Sequence, residues 1–227
     1  MDTISPRRIV SVSPDKTPSY ITALRTKVTL ARAVGEVAAL DSRLSDLWQR
    51  AGTPGLYRGR QGFPGLFRIV VSQQLSFHAA AAIWRRVEEI CEPLSAEMFL
   101  DLNQVHLRRT GLSHQKIRFG RALAQAIVEG RFRPQRLARL DDELAIGALI
   151  ELDGIGRWSA ECYLLFSLGR SDVWPANDLA LAVACQSLLS LPERPKGEEL
   201  RVLAERWRPW RSAAARLLWH GYRKQLV

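Results

Sequence analysis

The chain has 227 residues, enough to bury a large core in one domain or in two small lobes. Lysine and arginine outnumber aspartate and glutamate by 33 to 23, which gives a net charge of +10 and a pI near 10.2. This excess favours a polyanionic partner, with nucleic acid and an anionic membrane surface both open. The N-terminus lacks the apolar run of a secretory signal, and no stretch approaches the ~20 apolar residues that span a bilayer.

The first part of the chain predicts an arm followed by two helices. Residues 1–19 carry three prolines and many polar residues, which is typical of a disordered or loosely ordered arm. Apolar residues then recur at helical spacing from about Tyr20 to Arg50, with a break near Asp41. Residues 52–65 hold five glycines and two prolines and predict a loop between two parts of the fold.

A polar tract, Ser-Gln-Gln-Leu-Ser at residues 72–76, separates two further helical segments. An apolar helix precedes it, and an alanine-rich helix begins at or just after Ser76 and ends around Pro93. Gln73 and Gln74 therefore lie at a helix–helix junction. There they either satisfy loop backbone groups or contact a ligand. A third amphipathic helix follows Ser113 and ends at Gly130.

Residues 152–156, Leu-Asp-Gly-Ile-Gly, join two helices by a tight turn. The first helix has Asp141 as its predicted N-cap, and the second runs from about Arg157 to Leu168. Glycines at 154 and 156 allow positive φ and a close backbone approach to a ligand. The turn amides and the free N–H groups of the second helix then favour an anion such as a DNA phosphate. The alternative is a turn whose glycines serve only its geometry.

Asp178 follows a proline-containing loop and precedes a helix predicted over 179–191. Aspartate is a preferred N-cap worth ~1 kcal/mol, so a cap with no catalytic role is one interpretation. A carboxylate held ionised by capping amides is the other, and the two are compatible. The final helix is predicted to start at Pro209, with Trp219 about two and a half turns along it. Nearly every segment has helical spacing and none alternates with period two, which indicates an all-α fold.

Four of these motifs together resemble the helix–hairpin–helix (HhH-GPD) DNA glycosylase superfamily, and in it the 3-methyladenine DNA glycosylase II (AlkA-like) type. They are the Leu-x-Gly-Ile-Gly hairpin, an Asp 22 residues after its last glycine, the Gln-Gln-Leu-Ser tract and the Trp-x-Pro-Trp-Arg-Ser run at 207–212. The resemblance covers about residues 35–222. It implies two helical lobes with the active-site cleft between them, lobe one being about 20–61 plus 166–227 and lobe two about 62–165.

The resemblance implies a role for each motif in flipping a base out of DNA and hydrolysing its glycosidic bond. Asp178 would be catalytic, stabilising the oxocarbenium-like transition state and orienting water. Trp158 and Trp219 would line the base pocket, although plain core packing remains their alternative. Gln74 would fill the gap left by the everted nucleotide. The full set of expected DNA-binding residues is Gln73, Gln74, Ser76, Gly154, Ile155, Gly156 and Arg157.

Two departures from the superfamily pattern narrow the expected chemistry. Members that also nick the strand carry a lysine at the position of Trp158, so the resemblance implies a monofunctional enzyme with water as the nucleophile. Other members hold an iron–sulfur cluster through four C-terminal cysteines, and this chain has none after Cys185, so we expect no such cofactor. Relatives bind a monovalent cation at the hairpin, for which the carbonyls of Leu152 and Gly154 are the candidates here.

We therefore expect an alkylpurine glycosylase that acts as a monomer on double-stranded DNA with alkylated bases, without contacting a membrane. A cytoplasmic location follows, associated with the nucleoid in a bacterium. Two alternatives stay open. One is a glycosylase for other damaged bases. The other is a non-catalytic DNA-binding module in which the hairpin contacts phosphate and Asp178 serves only as a cap.

Overall fold

The computed structural model describes residues 23–227, so the predicted N-terminal arm at 1–19 lies outside the described residues. Within that range the regular secondary structure is helical throughout, as the resemblance implies. The α-helices are α1 Lys27–Leu40, α2 Ser42–Ala51, α3 Phe63–Ser72, α4 Phe77–Ile90, α5 Ala96–Asp101, α6 Gln104–Arg109, α7 His114–Val128, α8 Asp142–Ile150, α9 Arg157–Tyr163, α10 Leu179–Leu188, α11 Gly197–Ala204 and α12 Arg211–Arg223. Two 3-10 helices, Pro134–Arg139 and Glu205–Trp207, and a π-helical segment, Leu164–Leu168, complete the set. None of the helices within 23–227 has the length and apolarity to cross a bilayer.

Side-chain caps set most of the predicted helix starts. Asp41 accepts from the backbone N–H of Arg43 and so divides α1 from α2. Ser76 caps α4, and Asp141 caps α8. The helical run that begins at α9 ends at Gly169, whose φ of 74° is the left-handed conformation that glycine adopts at low cost. These boundaries are local, and the sequence predicts them correctly.

Several predicted boundaries are wrong by a few residues. Helix α3 starts at Phe63, inside the stretch 52–65 predicted as a loop, and α4 ends at Ile90 rather than around Pro93. Helix α10 ends at Leu188 rather than Leu191, because Ser190 takes a φ of 50° that breaks the helix. Helix α12 starts at Arg211 rather than Pro209. Trp210 is its N-cap, and the Trp210 backbone N–H bonds to the carbonyl of Trp207 at 2.8 Å in a turn.

The buried apolar side chains form two clusters. Cluster I is contributed mainly by α3 to α9 and includes Phe67, Phe99 and Tyr163. Cluster II is contributed mainly by α1, α2, α10, α11 and α12 and includes Trp174 and Trp207. We propose that these clusters are the cores of the two predicted lobes.

The helical run formed by α9 and the π-helical segment serves both clusters. Leu164 packs into cluster I, whereas its neighbour Leu165 packs into cluster II. Trp158 lies near the start of this run, in its first turn. The fold therefore places Trp158 at one end of a helical run shared by both clusters.

The cysteines of the described part, Cys91, Cys162 and Cys185, are all buried and free. Burial raises the pKa of the Cys185 thiol to about 12 and that of the Cys162 thiol well above its ordinary value. Both thiols are therefore held in the protonated, unreactive form at neutral pH.

Candidate active site

The Asp178 carboxylate accepts three hydrogen bonds at the start of α10. Oδ1 accepts from the backbone N–H of Leu181 at 2.9 Å, which is the predicted N-cap bond. Oδ1 also accepts from the indole Nε1 of Trp219 at 2.9 Å, and Oδ2 accepts from the indole Nε1 of Trp158 at 3.0 Å. All three side chains are partly exposed. The carboxylate is therefore fixed in orientation by three donors while it remains open to solvent.

Three separate elements bring these groups together. Trp158 is the second residue of α9, Asp178 precedes α10, and Trp219 lies on α12. The loop before Asp178 is anchored by the buried Trp174, whose Nε1 donates to the carbonyl of Leu200 at 3.1 Å. The predicted trio thus does meet at one site. The sequence did not predict that both indoles would donate to the carboxylate.

An aromatic wall extends from Trp219. Its ring stacks on that of Phe166, with centroids 5.3 Å apart and planes 23° from parallel. Tyr57 contacts the same Phe166 ring edge-on at 5.4 Å. Sequence reasoning missed both residues, since Phe166 lies in an apolar helical pattern that indicates core and Tyr57 lies in the glycine-rich loop. No local signal pairs them.

Behind this wall lies a buried arginine, Arg216. Its guanidinium carbon is 4.8 Å from the centroid of the Phe166 ring, and its two terminal nitrogens donate to the carbonyls of Tyr57 and Leu165. Burial lowers the pKa of Arg216 to about 10, which still leaves it charged at neutral pH. Arg216 therefore ties the Tyr57 loop and the Phe166 helix together from the inside.

The Gln-Gln turn between α3 and α4 is bonded directly to the hairpin. The Gln73 side-chain nitrogen donates to the Gly154 carbonyl at 2.7 Å and to Ser159 Oγ at 3.0 Å. From the other side, the Lys116 ammonium donates to the carbonyls of Val71 and Gln73 at 2.7 and 2.6 Å. The Gln73 amide is thus used within the protein. The side-chain nitrogen therefore has two internal partners, and the predicted DNA contact of Gln73 stays a prediction.

Gln74 and Ser76 differ from Gln73 in being exposed. Gln74 has a φ of 56°, so its backbone is left-handed at the tip of the turn. The Ser76 hydroxyl accepts from the backbone N–H of Ala79 at 3.2 Å as the cap of α4. Gln74 is the residue of this tract whose side chain is free to reach outward.

The two glycines of the hairpin differ in backbone conformation. Gly154 has a φ of 81°, and a Cβ added there would lie 2.3 Å from Cγ of Phe119. Gly156 has a φ of −91°, so the predicted positive φ is wrong at this position, where the residue is the extended N-cap of α9. A Cβ at Gly156 would meet nothing within 4 Å. Gly154 is needed for geometry, whereas Gly156 leaves open space beside the helix start.

Two other predicted DNA contacts are used inside the protein. Ile155 is 4% exposed in cluster I, and its N–H donates to the Leu152 carbonyl at 3.0 Å. The Arg157 guanidinium donates to Glu143 at 2.6 Å and to Glu161 at 3.0 Å. The expected DNA contacts of these two residues stay a prediction. The backbone N–H groups at the start of α9 remain for an anion, because no side chain caps this helix.

Glu161 is a site neighbour that the sequence did not assign. It is 1% exposed, and its Oε1 accepts from Arg157 and from Arg201 of α11 at 3.2 Å. Burial raises the pKa of this carboxyl above its ordinary value, and the two arginines lower it in part. The pair of arginines joins the hairpin helix to α11 through one buried carboxylate.

The candidate cation ligands also have protein partners. The Gly154 carbonyl accepts from Gln73, and the Leu152 carbonyl accepts from Ile155. A monovalent ion would use the second lone pair of each oxygen. The cation stays a prediction.

Comparison with known proteins identifies the family. The profile described as "HhH-GPD superfamily base excision DNA repair protein" matches residues 67–209. The chain is 34% identical over 189 residues to DNA-3-methyladenine glycosylase 1 of Schizosaccharomyces pombe, covering 78% of this chain and 83% of that protein. It is 26% identical over 240 residues to DNA-3-methyladenine glycosylase 2 of Escherichia coli, covering 94% and 81%.

A solved structure is similar as well. The S. pombe 3-methyladenine DNA glycosylase Mag1 in complex with abasic DNA aligns with a TM-score of 0.77 at 32% identity, over 83% of this chain and 95% of that one. The profile covers more than half of the chain, and its span contains the Gln-Gln turn, the hairpin and Asp178. The chain therefore belongs to the HhH-GPD superfamily of base excision DNA repair proteins.

Proposed function

We propose that this protein is a monofunctional DNA glycosylase that everts N3- or N7-alkylated purines from duplex DNA and hydrolyses their glycosidic bonds, initiating base excision repair. One observation carries the proposal: the Asp178 carboxylate lies in a partly exposed position between two indole N–H donors. A cap alone needs only the Leu181 amide, so the two indole bonds are more than capping requires.

The Asp178 carboxylate suits the chemistry of a departing cationic base. As the glycosidic bond breaks, positive charge develops on the sugar, and a preorganised carboxylate stabilises it without reorganisation. The same carboxylate orients the attacking water or accepts its proton. The bonds from Trp158 and Trp219 hold both carboxylate oxygens in place for this task.

The aromatic wall favours an alkylated purine over a neutral damaged base. Alkylation at N3 or N7 makes the purine cationic and already a good leaving group, so no general acid is needed. The face of an indole ring attracts such a cation by about 0.5–2 kcal/mol. The names of the S. pombe and E. coli relatives, both 3-methyladenine glycosylases, support the same substrate class.

We propose that backbone N–H groups, rather than long side chains, bind the DNA phosphate. The uncapped start of α9 and the open space at Gly156 suit a phosphate oxygen. Gln74 is proposed to fill the gap left by the everted nucleotide, which its exposure supports. The net charge of +10 supports binding to duplex DNA, and the protein is proposed to act there as a cytoplasmic monomer.

The identity of residue 158 supports hydrolysis without strand cleavage. The position that carries a Schiff-base lysine in the nicking members holds an indole here, and its nitrogen donates to Asp178. An indole N–H has no basic lone pair with which to attack the sugar. Water is therefore the proposed nucleophile.

Substitution of Asp178 by Asn tests the proposal. Asn also caps helices well, so Asp178→Asn is expected to fold and to bind an abasic-site duplex about as tightly as the wild type. Release of 3-methyladenine and 7-methylguanine from methylated duplex DNA, followed by chromatography, is expected to slow by about 10²- to 10⁴-fold. If the wild type releases no methylated purine but releases deaminated or oxidised bases from duplexes that carry them, the other substrate class is identified. Equal release by wild type and variant would leave a DNA-binding module.

A further inference from the structure

Arg216 of α12 carries a buried charge that no carboxylate of the described residues neutralises. The residue is 4% exposed, and burial alone lowers its pKa, to about 10, so the guanidinium stays charged at neutral pH. Its Nε atom is buried with no hydrogen-bond partner among residues 23–227. Arg211, the other buried arginine of that range, instead bonds the carboxylates of Asp172 and Glu205. An unpaired buried charge is costly, so a fold that keeps one indicates a use for the charge.

The hydrogen bonds of Arg216 do not by themselves require a charge. Its two terminal nitrogens donate to the carbonyls of Tyr57 and Leu165 at 3.1 and 3.0 Å. A neutral amide side chain can also donate to a carbonyl. What a neutral donor lacks is the electrostatic field of the guanidinium, which is weakly screened because the group is buried.

The charge lies behind the aromatic wall. Asp178 is bonded to the indole of Trp219, and that indole stacks on Phe166. The Arg216 guanidinium contacts the same Phe166 ring, 4.8 Å from its centroid. Two aromatic rings therefore separate the anion from the cation along this row of contacts. In the proposed function the base stacks on the wall and the sugar faces Asp178, so the purine is on the Arg216 side.

We propose that the charge of Arg216 destabilises a bound cationic purine and thereby speeds its departure. This inference rests on the proposed function. When the bond between sugar C1′ and purine N9 breaks, its electron pair goes to N9. The purine passes from cationic to neutral, and the sugar becomes cationic and then adds water, whose proton passes to Asp178 or to solvent. A fixed cation beside the purine raises the energy of the charged base but not that of the neutral product, while Asp178 stabilises the charge that arrives on the sugar.

This electrostatic role has a kinetic signature that a structural role lacks. Removal of the charge stabilises the bound cationic base and slows its departure, so kcat and KM for release of 7-methylguanine fall together. Loss of a structural tie would instead displace the Tyr57 loop, which lowers kcat and raises KM. A unit charge acting over about 10 Å at an effective dielectric constant of about 20 changes either constant by about tenfold.

The test compares Arg216→Gln and Arg216→Met, which remove the charge, with Arg216→Lys, which keeps it. Arg121→Met is the matched control, since Arg121 of α7 also donates to two backbone carbonyls, those of Leu100 and Leu102. Thermal unfolding shows which variants are folded, and the glutamine variant, which retains a donor, serves if the methionine variant is not folded.

Each folded variant is titrated at mildly acidic pH with two duplexes. One carries 2′-fluoro-7-methyldeoxyguanosine, in which the fluorine slows cleavage while the base keeps its positive charge. The other carries a tetrahydrofuran abasic analogue, which places no base on the wall. Single-turnover release of 7-methylguanine is measured on the unfluorinated duplex at saturating enzyme.

Arg216→Gln is expected to bind the fluorinated duplex about tenfold more tightly than the wild type and to release 7-methylguanine about tenfold more slowly. Its binding of the abasic duplex should be unchanged, and Arg216→Lys and Arg121→Met should match the wild type throughout. Unchanged or weaker binding of the fluorinated duplex by the folded neutral variants would overturn the inference, and so would an unchanged rate of release.

Release of methylated purines by the wild type is measured first. If the wild type releases none, the proposed function fails, and the inference fails with it. If the wild type releases them and the neutral variants bind the fluorinated duplex no more tightly, only the inference fails. The two failures are therefore distinguishable.

Discussion

Gln73 and Gly154 are 81 residues apart in the chain, yet the side-chain nitrogen of the first donates to the carbonyl of the second at 2.7 Å. This bond joins the turn between α3 and α4 to the hairpin between α8 and α9. The two turns hold the candidate gap-filling residue and the candidate phosphate anchor, so their spacing is set by the protein before any DNA binds. Preorganisation of this kind lowers the entropy cost of binding.

Replacing Gln73 by Met tests that coupling. Met has a similar shape but no donor, so the Gly154 carbonyl and Ser159 Oγ both lose a partner. The free energy of unfolding, measured with urea, is expected to fall by about 1–3 kcal/mol. Affinity for an abasic duplex is expected to fall as well. Gln74→Met is the matched control, because Gln74 is exposed and its substitution should leave stability unchanged. Equal stability of both variants would contradict the coupling.

The two hairpin glycines are expected to respond differently to alanine. Gly154→Ala combines a positive φ with a clash against Phe119, and is expected to cost about 2 kcal/mol or more of unfolding free energy. Gly156→Ala meets no neighbour and has an ordinary φ, so the fold should be kept.

DNA affinity of the folded Gly156→Ala protein then reports on phosphate contact alone. A methyl group at this position would occupy the space proposed for a phosphate oxygen, and binding of a duplex is expected to weaken severalfold in fluorescence anisotropy. Wild-type affinity in this variant would argue against the start of α9 as the anchor.

Trp219→Phe separates the indole hydrogen bond from the aromatic face. Phe keeps a ring to stack on Phe166 but cannot donate to Asp178 Oδ1. Single-turnover release of 7-methylguanine is expected to slow about tenfold, equivalent to about 1.4 kcal/mol of transition-state stabilisation. Trp219→Ala loses the face as well and should be slower still. Trp48→Phe is the control, since it removes an indole bond to Thr53 away from the site. A Trp219→Phe rate equal to that of the wild type would contradict the role given to this bond.

Glu161 is expected to leave a signature in the pH dependence of stability. Its pKa in the folded protein is raised above the ordinary value of 4.5, chiefly by burial. Between 4.5 and the raised value the folded state holds more protons than the unfolded state, so the unfolding free energy falls as pH rises through that window. Glu161→Gln removes this titration.

Urea unfolding at several pH values measures the effect. The wild type should lose stability relative to Glu161→Gln as pH rises from about 4 to 7. Glu143→Gln, which removes the exposed partner of the same arginine, is the comparison. A wild-type protein that gains stability relative to Glu161→Gln over this range would refute the direction of the shift.

The sequence predicts those parts of the molecule that depend on neighbours along the chain. The caps at Asp41, Ser76 and Asp141 and the stop at Gly169 are local signals, and the structure has them where expected. The cap at Asp178 is likewise local. Helices α5 and α6 have six residues each, too few to show a periodic pattern, and they are not predicted.

The other hydrogen bonds and the ion pairs of the candidate site depend on contacts that the spacing of residues in the sequence does not predict. The family resemblance predicted that Trp158, Asp178 and Trp219 belong to one site. It did not predict that both indoles would donate to the carboxylate.

Arg157, an expected DNA contact, pairs with Glu143 of α8, 14 residues before it. It also pairs with the buried Glu161, which Arg201 of α11 contacts as well. Pairings between different helices arise only when the helices pack, so tertiary structure is required to find them.

The helical run from Arg157 to Leu168 is expected to be sensitive to insertions. Consecutive leucines in it point into different clusters. One inserted residue would rotate everything beyond it by about 100° around the axis, so that side chains shaped for one interior would face the other. We therefore expect a single-alanine insertion within this run to destabilise the fold, which thermal unfolding of the inserted variants would measure.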